Sequence, residues 1–167
     1  MGSSQDDRFR RLVHEHSSAI GNYIRRRLYP LTLADLDDLV EETLLVVWRR
    51  IDDVPDEAEL PWMIGVARNV LRNARRSQYR RTNFESKLPV AADDPSAEDL
   101  VIADVSVRDA LLALNDADRE ILMLNAWDGL DTHALGVALS ITTNAAAVRL
   151  TRAQARFRER FAAAQVI

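Results

Sequence analysis

The sequence predicts an all-α protein made of two small helical domains joined by a flexible linker. Apolar residues recur every three or four positions over most of the 167 residues, which indicates amphipathic helices. No stretch shows the sustained alternation of a β-strand. Residues 82–95 lose the helical period and carry Pro89, Pro95 and the pair Asp93-Asp94. We therefore expect an N-terminal helical bundle over 1–81, a linker over 82–95 and a second domain over 96–167.

Three helices are expected in the first domain. The first covers 9–28 and ends before Pro30. Thr32 and Asp35 form a capping-box pattern that opens the second helix, whose apolar positions run to residue 51. Pro61 suits the first turn of the third helix, and the pattern continues from there to about Arg81.

Four helices are expected in the second domain, each opened by a residue that favours helix N-termini. The predicted spans are 96–114, 115–129, 131–139 and 143–163. The last two helices, with their four-residue joint, have the spacing of a helix-turn-helix. In such a motif the N-terminal residues of the second helix enter the major groove of DNA.

The composition excludes several classes of protein. The chain has no cysteine, which excludes disulfide scaffolds, thiolate zinc sites and cysteine nucleophiles. No apolar run is long enough for a transmembrane helix, so we expect a cytoplasmic protein without membrane insertion. His14 and His16 point to different sides of one helix, and His133 stands alone. We therefore expect no metal site, no cofactor and no enzymatic activity.

The net charge of −4 conceals two basic tracts. Six arginines and no acidic residue fall within 68–81, and five arginines with one acidic residue fall within 149–160. An acid-free face of arginines repels itself and is better explained by phosphate than by solvent, although a solvated helix face is the simpler alternative. Asn69 and Asn73 border the first tract, and their amides offer the donor and acceptor that read base edges.

The second predicted helix carries the opposite charge in its first two turns. Its acidic residues are Asp35, Asp37, Asp38, Glu41 and Glu42. Complementarity to the helix dipole explains such a cluster, and a metal site is disfavoured because no histidine accompanies it. A third interpretation is a docking surface for a basic protein, with Leu39 and Val40 as its apolar part.

Three stretches of the sequence stand in a specific order and spacing. They are DDLVEET (37–43) followed by VWR, PWMIGVARNV (61–70) followed by Arg75-Arg76, and LNDADREIL (114–122) followed by WDGL. Together they resemble a bacterial RNA polymerase sigma factor of the extracytoplasmic-function (ECF) type, over about residues 8–162. The resemblance implies a transcription initiation factor that binds core RNA polymerase, recognises promoter DNA and promotes strand opening.

The resemblance also implies roles for particular residues. Docking on the clamp helices of the polymerase β′ subunit would use Asp38, Leu39, Glu41 and Glu42. The minus-ten promoter element, with its non-template strand single-stranded, would be held by Arg68, Asn69, Arg72, Asn73, Arg75, Arg76 and Arg80. The minus-thirty-five element would be read in duplex form by Thr143, Asn144, Arg149, Arg152 and Arg156. The implied partners are core polymerase (β′ and β), promoter DNA and, as is often found in the family, an anti-sigma factor.

The chain departs from the family pattern in its helix-turn-helix. Ser140 stands where glycine is frequent, and residues 144–149 (NAAAVR) replace the family's Gly-Thr-Val-Lys-Ser-Arg. Ala147 and Val148 offer no hydrogen bond to a base, so we expect few direct contacts with base edges. Specificity would then depend partly on the shape of the DNA.

Two other functions stay open from the residues alone. One is a helix-turn-helix DNA-binding transcriptional regulator whose first domain senses a signal or dimerises. The other is an interaction protein whose charged helices bind only protein. Binding to core polymerase separates the sigma factor from both alternatives.

Overall fold

The computed structural model describes residues 2–86 and 104–166. The chain divides into two compact units, Met1–Val90 (unit 1) and Ala91–Ile167 (unit 2). Within the described ranges every regular element is an α-helix or a short 3-10 helix, so the prediction of an all-α fold is confirmed.

Unit 1 is a bundle of three helices that all contact one another. They are α1 (Gly2–Arg25), α2 (Leu36–Arg49) and α3 (Glu59–Ser86), and 3-10 turns at Leu33–Asp35 and Ile51–Asp53 flank α2. The apolar stripe of each helix faces the other two, and burial of these stripes is the main force that holds the bundle. Large apolar side chains that are almost completely buried include Leu12, Ile20, Ile24, Val47, Met63, Ile64 and Leu71.

The third helix is longer than its apolar pattern predicts. It begins at Glu59, before Pro61, and it continues past Arg81 to Ser86. Thr82, Asn83 and Phe84 are exposed, so the helix continues without an apolar stripe to mark it. The first part of the predicted linker is therefore helical, whereas 87–95 and the predicted helix start at Ser96 lie outside the described residues.

A polar cluster fastens α1 to the start of α3. The Glu59 carboxylate accepts hydrogen bonds from Arg11 Nη2 at 2.6 Å and Nη1 at 3.1 Å, and it lies 3.2 Å from His16 Nε2. The Arg11 hydrogen bonds are the largest cause that lowers the pKa of Glu59 to about 2. Glu59 is also the first residue of α3, where the helix dipole favours a negative charge.

Unit 2 packs three short helices around one long helix. The short helices are α4 (Val105–Leu112), α5 (Asp116–Ala126) and α6 (Thr132–Leu139), and each contacts α7 (Thr143–Ala164). Asp104 has an extended backbone, and its side chain accepts hydrogen bonds from the amides of Ser106 and Val107. The helix predicted over 96–114 is therefore found only over Val105–Leu112, because Asp104 caps a helix start; residues 96–103 lie outside the described ranges.

Two buried polar residues complete the packing of α5 in unit 2. The Arg119 side chain donates to the carbonyl oxygens of Leu111, Leu112 and Leu114, which lie in the last turn of α4 and just beyond it. It thereby satisfies carbonyls that lack a partner within the helix. The neighbouring Asp118 is 8% exposed and pairs with Arg156 of α7 at 2.7 Å.

The helices α6 and α7 meet at 105°, which is within the range of helix-turn-helix motifs. Ser140 adopts left-handed backbone angles (φ 54°, ψ 44°) at the end of α6, and the amide of Ile141 donates to the Gly136 carbonyl at 2.9 Å. The Thr142 hydroxyl then caps α7 by accepting from the Ala145 amide.

In the part of the chain that the structure describes, no single helix is both long and apolar enough to cross a membrane. Only α6 and α7 taken together, across their bend, meet those criteria of length and composition.

Candidate functional site

The acidic residues of α2 form an exposed surface on unit 1. Asp37, Asp38, Glu41 and Glu42 are exposed, and they make no ion pair with any residue that the structure describes. Leu39, which the sequence placed in this docking set, is only 5% exposed and belongs to the core. That assignment is corrected: the helical period turns Leu39 inward with Leu36 and Thr43.

Apolar side chains beside these acids are exposed instead. Leu45 is 47% exposed, and Trp48 is 38% exposed with its ring edge against Phe9 at a centroid distance of 5.2 Å. A shallow groove next to them is lined by Phe9, Asp37, Val40, Glu41, Leu44 and Leu45. We call these residues, with Asp38, Glu42 and Trp48, the α2 surface.

The sequence analysis missed Leu45 and Trp48, although the sequence contained a signal for them. Residues 44–48 (LLVVW) are continuously apolar. One stripe of a helix cannot bury five consecutive residues, so some of them must face solvent or a partner.

The arginines of α3 line a second surface of unit 1. Asn69, Arg72, Asn73, Arg76 and Arg80 are all exposed, and within the described ranges none makes an ion pair or side-chain hydrogen bond. Arg68 is half-buried and has contacts within the protein. We call the exposed set the α3 surface.

Arg75 differs from its neighbours because its guanidinium is occupied. Arg75 donates to the carbonyl oxygens of Arg27 and of Tyr29, the latter at 2.9 Å. These carbonyls follow the end of α1, so Arg75 holds that segment against α3. Arg75 therefore has a positioning role within the protein, and its contact with DNA stays a prediction.

The same contact brings a basic segment beside α3 that the sequence analysis did not single out. Arg25 and Arg26 are exposed at the end of α1, and the guanidinium of Arg27 stacks over the Tyr23 ring at 4.0 Å. Three consecutive arginines were visible in the sequence, but their position next to the α3 tract depends on the tertiary contact of Arg75.

The N-terminal half of α7 presents a polar face on unit 2. Ala146, Leu150 and Ala153 are buried on its inner side. The opposite side is exposed and carries Thr143, Asn144, Val148, Arg149, Thr151 and Arg152. The Thr143 hydroxyl lies 3.4 Å from His133 Nδ1 of α6.

Arg156 was predicted to contact DNA together with this face. Its guanidinium pairs with Asp118 at 2.7 Å, and Asp118 also accepts from the Asn115 side chain. The ion pair commits one side of the guanidinium to joining α7 and α5, while the side chain stays 52% exposed, so its contact with DNA stays a prediction.

Glu15, His16 and Glu59 place potential metal-ligating atoms within 4.8 Å of one another. Both carboxylate oxygens of Glu59 already accept hydrogen bonds from Arg11. A cation would have to displace that guanidinium, so we assign the cluster to the packing of α1 on α3.

Two helical units that combine an acidic and apolar surface, an arginine-lined surface and a helix-turn-helix define a DNA-binding protein of the transcription machinery. The family described as sigma-70 region 2 matches residues 12–81, which lie within the three-helix bundle of unit 1. Residues 12–81 therefore belong to the sigma-70 region 2 family, and the chain is a transcription initiation factor that is similar over most of its length to bacterial RNA polymerase sigma factors, among them members of the ECF type.

Relatives of the chain carry the same designation. The RNA polymerase sigma factor NccH of Alcaligenes xylosoxydans xylosoxydans is 28% identical over 95% of this chain and 89% of its own length. The ECF RNA polymerase sigma factor SigL of Mycobacterium tuberculosis is 29% identical, over 84% and 81%. The fold is shared with the sigma factor RpoE of Bartonella quintana, solved with the anti-sigma factor NepR (TM-score 0.62, 18% identity, covering 91% of this chain and 95% of that one).

Proposed function

We propose that the chain binds core RNA polymerase through its α2 surface, recognises the minus-ten element through its α3 surface and reads the minus-thirty-five element through α7. The observation that carries this proposal is the separation of unpaired charge among the described residues of unit 1, with carboxylates on α2 and guanidiniums on α3. Unpaired charges of one sign on one face are best explained by a partner of the opposite sign.

The composition of the α2 surface favours a basic protein as its partner. Trp48, Leu45 and the adjoining groove supply apolar area for a stable contact, and Asp38, Glu41 and Glu42 surround it with negative charge. Apolar anchors within a charged rim are the common composition of protein interfaces. In a sigma factor this partner is core polymerase, and we assign the surface to the β′ clamp helices.

The α3 and α7 surfaces suit two different forms of DNA. The exposed start of α7 has the geometry that enters a major groove, and Arg149 and Arg152 flank it for phosphate contacts. The α3 surface combines exposed arginines with two amides, which suits a strand whose base edges have become accessible. Binding energy for unpaired bases then favours the opened promoter, so the protein needs no catalytic step of its own.

The division of labour follows the sequence-based domains. We assign the region 2-like role to residues 1–81, a linker role to 82–95 and the region 4-like, minus-thirty-five role to 96–167. The helical extension of α3 to Ser86 adds the first residues of that linker to the end of the arginine-lined helix. A polymerase-bound factor of this kind works in the cytoplasm.

An anti-sigma factor is a further proposed partner. RpoE of Bartonella quintana was solved with the anti-sigma factor NepR. In this chain the α2 surface offers both charge and apolar area to such a protein, which would compete with polymerase for the same residues.

Charge reversal on α2 tests the docking assignment. We expect Glu41→Lys with Glu42→Lys to abolish co-elution of the full chain with bacterial core polymerase, because two attractive interactions become repulsive. Both residues are exposed, so the fold is expected to persist, as circular dichroism would show. Run-off transcription with core polymerase on a library of upstream sequences then identifies the promoter.

Glu57→Lys is the control for a charge reversal elsewhere, since Glu57 is an exposed acid of unit 1 outside α2, and it is compared with Glu41→Lys alone as well as with the double variant. It should leave co-elution unchanged. Equal loss with Glu57→Lys would indicate a general charge effect, and full binding by the double variant would refute the docking assignment. A helix-turn-helix regulator would bind duplex DNA without polymerase and start no transcription.

A further inference from the structure

One large apolar side chain stands almost entirely in solvent at the end of α3. Phe84 is 92% exposed, and it lies on the helical extension that the sequence pattern did not predict. A single exposed apolar residue is ordinary on a protein surface, so its meaning depends on its neighbours.

The neighbours of Phe84 are basic and polar. Ser77, Arg80, Arg81 and Phe84 line one shallow depression, as their spacing along a helix face requires. Arg81 Nη2 lies 3.4 Å from Ser77 Oγ, which holds that guanidinium close to the depression. No acidic residue occurs between Arg68 and Phe84.

We propose that Phe84 is a stacking platform for an unpaired base of single-stranded DNA, with Arg80 and Arg81 on the adjoining phosphates. This inference rests on the proposed function, and it adds a base-binding subsite to the α3 surface. Base–aromatic stacking tolerates any sequence because every base has a π-face. The flanking guanidiniums favour a polyanion over an apolar protein segment.

The position of Phe84 explains why the base must be unpaired. In a duplex each base face is covered by its neighbours, so a phenyl ring gains a stacking partner only after a base leaves the stack. Asn73 and Phe84 are eleven residues apart and fall on nearly the same helix face, separated by about 16 Å along the axis. That length corresponds to roughly five stacked nucleotides of one strand. Phe84 therefore extends the path of the strand beyond the amides of α3.

The test compares two probes that share a backbone but differ in bases. The full chain is titrated with a labelled 15-nucleotide thymidine oligomer and with an abasic oligomer of the same length, and fluorescence anisotropy reports binding. We expect F84A to weaken binding of the thymidine oligomer roughly tenfold and to leave the abasic oligomer unchanged. We expect F84W to bind the thymidine oligomer as tightly as the parent chain. F84L, which is apolar but has no π-face, should bind it as weakly as F84A.

Two further variants distinguish failure of the stacking subsite from failure of the DNA-binding role of α3. L33A removes another exposed apolar side chain of unit 1 (68% exposed) and should change neither probe. R72A should weaken both probes, because it removes a phosphate-binding guanidinium. If R72A weakens binding and F84A does not, the stacking subsite is refuted while the DNA-binding role of α3 stands. If R72A has no effect on either probe, the DNA-binding role itself is refuted.

Two further results would also overturn the inference, one from oligonucleotide binding by F84L and one from core polymerase binding by F84A. Restoration by F84L would mean that any apolar group suffices, which is packing and not stacking. Loss of core polymerase binding by F84A, with oligonucleotide binding intact, would assign Phe84 to a protein partner.

Discussion

At the scale of single residues, arginines of similar sequence context have different tasks. Arg72 is exposed and has no polar side-chain partner in the described residues, whereas Arg75 binds the carbonyls of Arg27 and Tyr29. Arg119 likewise binds three carbonyls in the last turn of α4 and just beyond it. The sequence shows only a tract of arginines, because the carbonyls that recruit Arg75 come from a segment more than forty positions away.

Replacing Arg75 should therefore cost stability, and replacing Arg72 should not. We expect Arg75→Ala to lower the free energy of unfolding by about 1–2 kcal/mol, because carbonyls after α1 lose charge-assisted hydrogen bonds. Arg72→Ala, one helical turn earlier and exposed, should stay within about 0.5 kcal/mol of the parent. Urea unfolding followed by circular dichroism measures both. Equal stability of the two variants would mean that the hydrogen bonds of Arg75 do not stabilise the fold.

At the scale of elements, the helices were predictable and their ends and faces were less so. Periodicity located every helix of unit 1, because each buries one apolar stripe. It missed the last turn of α3, which has no such stripe. On α2 the sequence analysis placed buried Leu39 on the docking surface and left out exposed Leu45 and Trp48. The second error concerns which side of an apolar-rich helix faces a neighbour, and a single sequence does not encode the neighbour's position.

The helix-turn-helix depends on a close approach that only glycine permits. A Cβ atom on Gly136 would lie 2.8 Å from the Ile141 carbonyl oxygen, so the joint before α7 would have to shift. We expect Gly136→Ala to destabilise the protein by about 1–3 kcal/mol, the usual cost of overpacking. Thermal unfolding monitored by circular dichroism measures the change.

Gly21 provides the matched control for this substitution. It lies within α1, and a Cβ atom there meets nothing within 4 Å. Gly21→Ala should therefore stabilise the protein by about 0.5–1 kcal/mol through helix propensity. If Gly136→Ala were also neutral or stabilising, the close approach in the joint would not constrain the motif.

At the scale of the whole molecule, the net charge of −4 conceals two separate basic tracts, one in each compact unit. Each unit has its own buried core, with Met63 and Leu71 in unit 1 and Leu124 and Leu135 in unit 2. Each tract therefore has its own rigid support. The charge pattern of the sequence revealed both tracts, and the structure shows which of their guanidiniums no internal partner occupies within the described ranges.

The arginines at the two ends of α7 should differ in their effect on duplex binding. Arg149 and Arg152 lie near the N-terminus of α7, the end that enters a groove in helix-turn-helix proteins, whereas Arg158 and Arg160 lie towards its C-terminus. All four are exposed.

Because each neutralised phosphate releases counterions, Arg149→Ala with Arg152→Ala should flatten the dependence of log affinity on log salt by about 0.9 for each phosphate left without its guanidinium. Arg158→Ala with Arg160→Ala removes the same charge and should leave that slope unchanged. The measurement is holoenzyme binding to a selected duplex promoter over a range of salt concentrations. Equal flattening by both pairs would mean that α7 acts as a general basic helix, and the assignment of its N-terminal half to the minus-thirty-five element would then be wrong.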